Sequence, residues 1–150
     1  MANLLPFLKV VPGFALDLTT TTEKGEHLDF TRLRHRKATG KLVDDEEPMF
    51  LIGCPPCTEV SSWQALNAAK YGWSAREVAG RRAAARIHID FVCELYREQL
   101  KKNRYFFHEH PEGAVSWEME SIKANMELPG VIRVVRDQCQ LGQSDAEGNL

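Results

Sequence analysis

Phe50-Leu51-Ile52-Gly53-Cys54-Pro55-Pro56-Cys57-Thr58-Glu59-Val60-Ser61-Ser62-Trp63 is the stretch on which the reading of this chain turns. Its apolar start predicts a short strand, Gly53 with the two prolines a sharp turn presenting a thiol, and the polar residues beyond a helix start. Open α/β sheets build their sites from these parts at the carboxyl ends of their strands. A thiol beside the free N–H groups of a starting helix has its thiolate stabilised, and thiolate is the reactive form. Cys57 is therefore a candidate nucleophile, held in a turn that Pro55 and Pro56 stiffen. The plain alternative is that Cys54 and Cys57 are small buried hydrophobes at a strand end.

Outward from this stretch, composition sets bounds. A chain of 150 residues, 43% hydrophobic and 27% charged, suits one globular domain over 1–150 with a polar tail at 140–150. The net charge of -2 gives no bulk attraction to nucleic acid, so contact with it must rest on a local basic face. Four cysteines (Cys54, Cys57, Cys93, Cys139) with no recognisable signal peptide point to a reduced, intracellular setting. The longest uncharged apolar run is too short to cross a bilayer, so no membrane partner is expected.

Upstream, Phe14 to Leu18 looks like a first buried strand, followed by the threonine run Thr19 to Thr22. A loop after a first strand is where a dinucleotide or S-adenosylmethionine would sit, although the run reads equally as an ordinary polar loop. Arg32, Arg34, Arg36 and Lys37 form either a solvated helix face or a phosphate-contacting one. The acidic cluster 44–47 reads as a surface turn closed by Pro48. Downstream, 61–70 suggests a short helix, and Ser74 with Glu77 forms a capping box that opens a helix to about Lys102. Ala84, Ile87, Phe91 and Leu95, with Val92 alongside, mark its buried stripe. Its arginines and lysines, Arg81 and Arg82 among them, again read as solvated or phosphate-facing.

Arg104 to Pro111 predicts an aromatic strand with Glu109 at its carboxyl end. A right-handed crossover would bring that end beside Cys57 at one sheet edge. Glu118 to Leu128 predicts a helix, and Val131 to Val135 a further strand. Strands alternating with helices give an α/β fold: a mainly parallel, Rossmann-like doubly wound sheet, left incomplete where the tail begins.

Gly53-Cys54-Pro55-Pro56-Cys57-Thr58-Glu59-Val60-Ser61 resembles the catalytic motif of DNA cytosine-5 methyltransferases, Gly-x-Pro-Pro-Cys-Gln-x-Phe-Ser. Arg104 to Pro111 is similar to that family's strand ending in Glu-Asn-Val, and Leu16-Asp17-Leu18 to the start of its first motif. The likeness spans roughly 13–112. It implies S-adenosylmethionine-dependent methylation of DNA at cytosine C5, with Cys57 attacking C6 and Glu109 holding N3. It further implies cofactor contacts from Asp17, Leu18, Thr19, Thr20, Gly53 and Pro56, and substrate contacts from Ser61 and His110. A base must leave its stack to enter such a site.

Thr58 stands where the family has Gln, Val60 where it has Phe, and His110-Pro111 where it has Asn-Val; threonines replace the glycine-rich cofactor loop. An inactive, methyltransferase-like binding or scaffold protein is therefore the alternative expectation. Two other chemistries fit parts of the pattern. Cys54-Pro55-Pro56-Cys57 is a C-x-x-C arrangement with Cys54 as the redox nucleophile. Cys54, Cys57, His108 and His110 are a four-ligand inventory for structural zinc, although one spacer between the histidines is tight and no metal is the leading expectation.

Overall fold

The computed structural model describes residues 11, 13–17, 19–22, 25–61 and 63–137. In chain order these form helix α1 (Leu33–Glu46), strand β1 (Phe50–Gly53), helices α2 (Gln64–Tyr71) and α3 (Ala75–Lys101), strand β2 (Tyr105–His108), a 3-10 helix (Val115–Glu118) and helix α4 (Glu120–Met126). β1 and β2 pair in parallel with Phe50 opposite Tyr105, Leu51 opposite Phe106, Ile52 opposite Phe107 and Gly53 opposite His108. The expected parallel pairing of the cysteine and aromatic strands is thus present.

The rest of a doubly wound sheet is not. Among the described residues the fold is mixed α/β, with four α-helices and one two-stranded sheet. The described part of the predicted first strand, 14–17, is irregular. Asp17 turns its carboxylate onto the N–H groups of Thr19 (2.6 Å) and Thr20 (3.0 Å), a local closure that competes with strand pairing. Val131 to Val135 has strand composition but no strand partner, and Ile132, Val134 and Val135 lie exposed. Strand propensity expresses itself only where neighbouring strands and a buried face exist to pack against.

The capping box that opens α3 is formed as predicted. Ser74 Oγ accepts from Glu77 N (3.2 Å) while Glu77 accepts from Ser74 N (2.8 Å), and the Ser74 hydroxyl on the carboxylate (2.7 Å) first, with that N–H second, holds the Glu77 carboxyl below its usual range. Ser74→Ala is expected to cost about 1 kcal/mol in urea unfolding, with helix content at neutral pH unchanged.

The buried stripe of α3 differs in part from the expected one. Val92 is buried as expected, Ala84 and Leu95 are half-buried and Ile87 is exposed, while Ile89, Cys93, Tyr96 and Gln99 are buried beyond it. Phe91 is also buried, but its ring lies 5.2 Å from that of Phe30, whose ring is in turn 4.9 Å from His88. A helix with neighbours on two sides carries two apolar stripes, and three- and four-residue spacing alone does not say which one meets the sheet. The core joins Ile89, Val92, Cys93 and Tyr96 to Val60, Ala114 and Ile122, with Leu51 and Phe106 packed against it from the sheet.

Three of the four cations in the basic run are engaged locally. Arg34 pairs with Glu26 (2.6 Å), Arg32 with Asp29 (3.1 Å), and Arg36 donates to Phe30 O (2.6 Å). The acidic cluster is not a turn, since α1 runs through to Glu46 and ends at Glu47, with φ 48°. Lys41 on Asp45, Lys102 on Asp44 and Arg104 on Glu47 offset its charge enough for the helix to continue. No helix among the described residues is long and apolar enough to cross a membrane.

Candidate functional site: the cysteine-glutamate rim

Parallel pairing puts the carboxyl ends of β1 and β2 side by side, and Glu109 N donates to Gly53 O (3.1 Å) one residue beyond the last strand pair. Cys54 and Glu109 therefore leave the sheet together, both exposed. Desolvation first, and the neighbouring Glu109 carboxylate second, push the Cys54 thiol up. That environment favours thiol over thiolate.

Cys57 is half-buried and packs against the core cluster. The helix expected to begin beside it does not. Thr58 to Val60 form turns, Val60 N bonding to Cys57 O (3.0 Å), and α2 starts only at Gln64. Val60 is drawn inward as a core residue, and Val115 N bonds to its carbonyl (2.8 Å), so the chain stays in turn conformation where a helix cap was predicted. The activation of Cys57 by a helix N-terminus is accordingly absent. Glu59 instead accepts from Gln64 Nε2 (2.5 Å) and pairs with Arg81 (3.5 Å), whose guanidinium lies 4.0 Å from the Trp73 ring centre.

His110 is a clamp rather than a substrate contact. It is buried, its Nε2 lies 2.8 Å from Pro55 O and its Nδ1 2.6 Å from Ser116 Oγ. A carbonyl only accepts, so Nε2 carries a proton and donates to Pro55 O, while Nδ1 shares a hydrogen bond with the Ser116 hydroxyl. The imidazole thus fixes the Pro55-Pro56 turn from beneath. With both nitrogens engaged it has none left for zinc, and among the described residues no three His, Cys, Asp or Glu side chains could hold a metal. Cys54, Cys57 and Cys93 are free thiols. Burial raises the Cys93 thiol to about 11, so it stays protonated at neutral pH.

Gly53 has a different role from the one expected. A Cβ on it would lie 1.8 Å from Tyr96 Oη and 2.9 Å from Val92 Cγ1. Its open side is filled by α3. Tyr96, buried and stacked on Phe106 (centroids 4.3 Å apart), donates to Gly53 O (3.2 Å) and lies 3.0 Å from His108 Nδ1. With the phenol proton on Gly53 O, His108 donates from Nδ1 to the Tyr96 oxygen, and its buried Nε2 has no partner. This Tyr96-Gly53-His108 knot was not read from the sequence. A glycine at the end of an otherwise bulky strand was its one signal.

The remaining expected contacts are dispersed. Asp17 and Thr19 sit in an exposed turn beside half-buried Thr20, and the hydroxyl and N–H of Thr19, then those of Thr20, hold the Asp17 carboxyl below its usual range. Leu18 lies outside the described residues. Ser61 Oγ accepts from Trp63 N (3.2 Å), closing its own turn. Pro56 is exposed at the rim. Among the described residues the expected fit to S-adenosylmethionine is therefore incomplete: Asp17 Oδ1 takes the hydrogen bonds of its own turn, and the glycine meant for close approach is covered by a tyrosine.

No protein-family model matches this chain, and comparison with curated proteins and with solved structures returns no significant match.

Proposed function

We propose that this chain is a methyltransferase-like binding protein that keeps the cysteine-glutamate rim of a DNA cytosine-5 methyltransferase without carrying out methyl transfer. The observation that carries this reading is Gly53, whose open side is occupied by Tyr96. The distance of α2 from Cys57 and the upward shift of Cys54 point the same way, because neither thiol is poised as a nucleophile. The ligand is an unpaired cytosine in single-stranded DNA. The exposed Glu109 carboxylate is an acceptor suited to the exocyclic N4 amine, and Pro56, exposed in the turn that follows β1, offers an apolar surface. A base in duplex would first have to be turned out at a cost of a few kcal/mol.

A different observation favours the active reading, DNA cytosine-5 methylation by Cys57 and Glu109 with S-adenosylmethionine. The strand register brings Glu109 to the same rim as the Cys54-Cys57 turn. One experiment separates the two. Single-stranded oligonucleotides carrying 5-fluorocytosine are mixed with the protein and S-adenosylmethionine, and both anisotropy and denaturing electrophoresis are read. The binding reading expects reversible association without a covalent adduct, weakened about tenfold by Glu109→Gln through loss of a charge-assisted hydrogen bond. An adduct that disappears in Cys57→Ala would establish the active reading instead. No association with any oligonucleotide would overturn both.

A further inference from the structure

Among the described residues, the pairing that joins β1 to β2 leaves one side of the sheet bare. Leu51, Gly53, Phe106 and His108 turn toward α3, and their alternates turn away. Phe50 (52% exposed) opposes Tyr105 (62%), Ile52 (63%) opposes Phe107 (50%), and Met49 (65%) continues the strip. A parallel sheet is ordinarily covered on both faces, since its strands are apolar on both. Unlike single exposed apolar residues, two in-register pairs side by side make a contiguous patch.

We infer that this bare face packs against the same face of a second copy of the chain, giving a two-fold symmetric dimer. Three features select that occupant. β1 and β2 contain no lysine or arginine, so the face offers nothing to a phosphate backbone, and the charge at its end is the acidic Glu109. A strip of paired aromatic and aliphatic side chains on a twisted sheet is self-complementary under two-fold rotation, the geometry of sheet-on-sheet packing. The size also suffices. With roughly half of each side chain exposed, and about 150–250 Å² per aromatic, the strip presents on the order of 500 Å² per copy. Two copies bury about 1,000 Å², the threshold of a biological interface and the size of a weak, concentration-dependent one. This surface is distinct from the rim ligand of the previous subsection, so either proposal stands if the other fails.

Sedimentation velocity over a concentration series tests it. The full chain is expected to reach twice its 17.0 kDa mass. Ile52→Glu and, separately, Phe107→Glu bury a like charge from each copy at the interface and are expected to weaken association by about a hundredfold or more while far-UV circular dichroism stays unchanged. Phe50→Arg, at the exposed start of β1, is the second variant should either glutamate impair folding. Val135→Glu, on the exposed segment after α4, leaves the dimer intact. A chain that stays at single mass at every concentration overturns the inference, as does a dimer indifferent to all three face variants. A full chain that is single while one lacking residues 1–10 dimerises would assign the face to the chain's own N-terminal segment, and also overturns it.

Discussion

Gly53→Ala lowers the stability of this protein by about 3 kcal/mol or more, read as an earlier urea midpoint with an unchanged slope. The added methyl group would sit 1.8 Å from Tyr96 Oη, 2.8 Å from its Cζ and 2.9 Å from Val92 Cγ1, all inside contact distance. Neither neighbour yields easily. Tyr96 is held between the Phe106 ring and two hydrogen bonds, and Val92 is part of the core against the same strand. Relief therefore requires α3 to move away from β1, separating Leu51 and Phe106 from Ile89 and Val92.

Tyr96→Phe in the alanine background removes the closest atom and recovers part of the loss, although Cζ and Val92 remain too near. A double-mutant cycle should therefore show coupling of at least about 1 kcal/mol between positions 53 and 96. The outcome also bears on function. Were the glycine kept open for a cofactor, alanine would leave the urea midpoint unchanged and act on S-adenosylmethionine binding alone.

Acidification from pH 6.5 to pH 4 is expected to remove about 3 kcal/mol of stability through His108. Its burial, with the adjacent His110 as the smaller cause, lowers it from an ordinary 6.5 to about 4. The folded state thus holds this imidazole neutral over a range in which the unfolded chain binds a proton. Stability from it is complete above pH 6.5 and falls as pH drops toward 4, at 1.36 kcal/mol for each pH unit within that window.

His88 adds to the fall in the same direction, because burial lowers it more than the Asp29 carboxylate raises it. His108→Phe keeps a ring against Trp117, 5.6 Å away and edge-on, and leaves Tyr96 its bond to Gly53 O. Its unfolding free energy should vary much less between pH 4.5 and 7 than that of the unmodified chain. An equal slope in the two proteins would place the titrating group elsewhere.

Some local chemistry was legible where both partners of a motif lay within a few residues. Ser74 and Glu77 announced the start of α3 because both halves of a capping box sit three positions apart and need nothing else. The two strands next to the Gly-Cys-Pro-Pro-Cys and Glu-His-Pro turns were readable from bulky apolar runs cut short by glycine and proline, and their parallel order from the long helix between them. The strands expected at 14–18 and 131–135 were not, because the first competes with the hydrogen bonds of its own aspartate and the second lacks a neighbour.

By itself, then, the sequence determined the two paired strands, their parallel order and the start of α3, and it placed Glu109 at one rim with Cys57, where the structure puts Cys54 instead. Only the tertiary structure decided what that rim is made of. Whether Gly53 faces a ligand or a tyrosine, whether His110 meets substrate or holds Pro55, and whether Cys57 sits at a helix start or against the core all depend on contacts between residues tens of positions apart. Such contacts follow from how α3 rolls onto the sheet to bury Ile89, Val92 and Tyr96, and a stripe of apolar residues fixes that rotation only once both of its neighbours are in place.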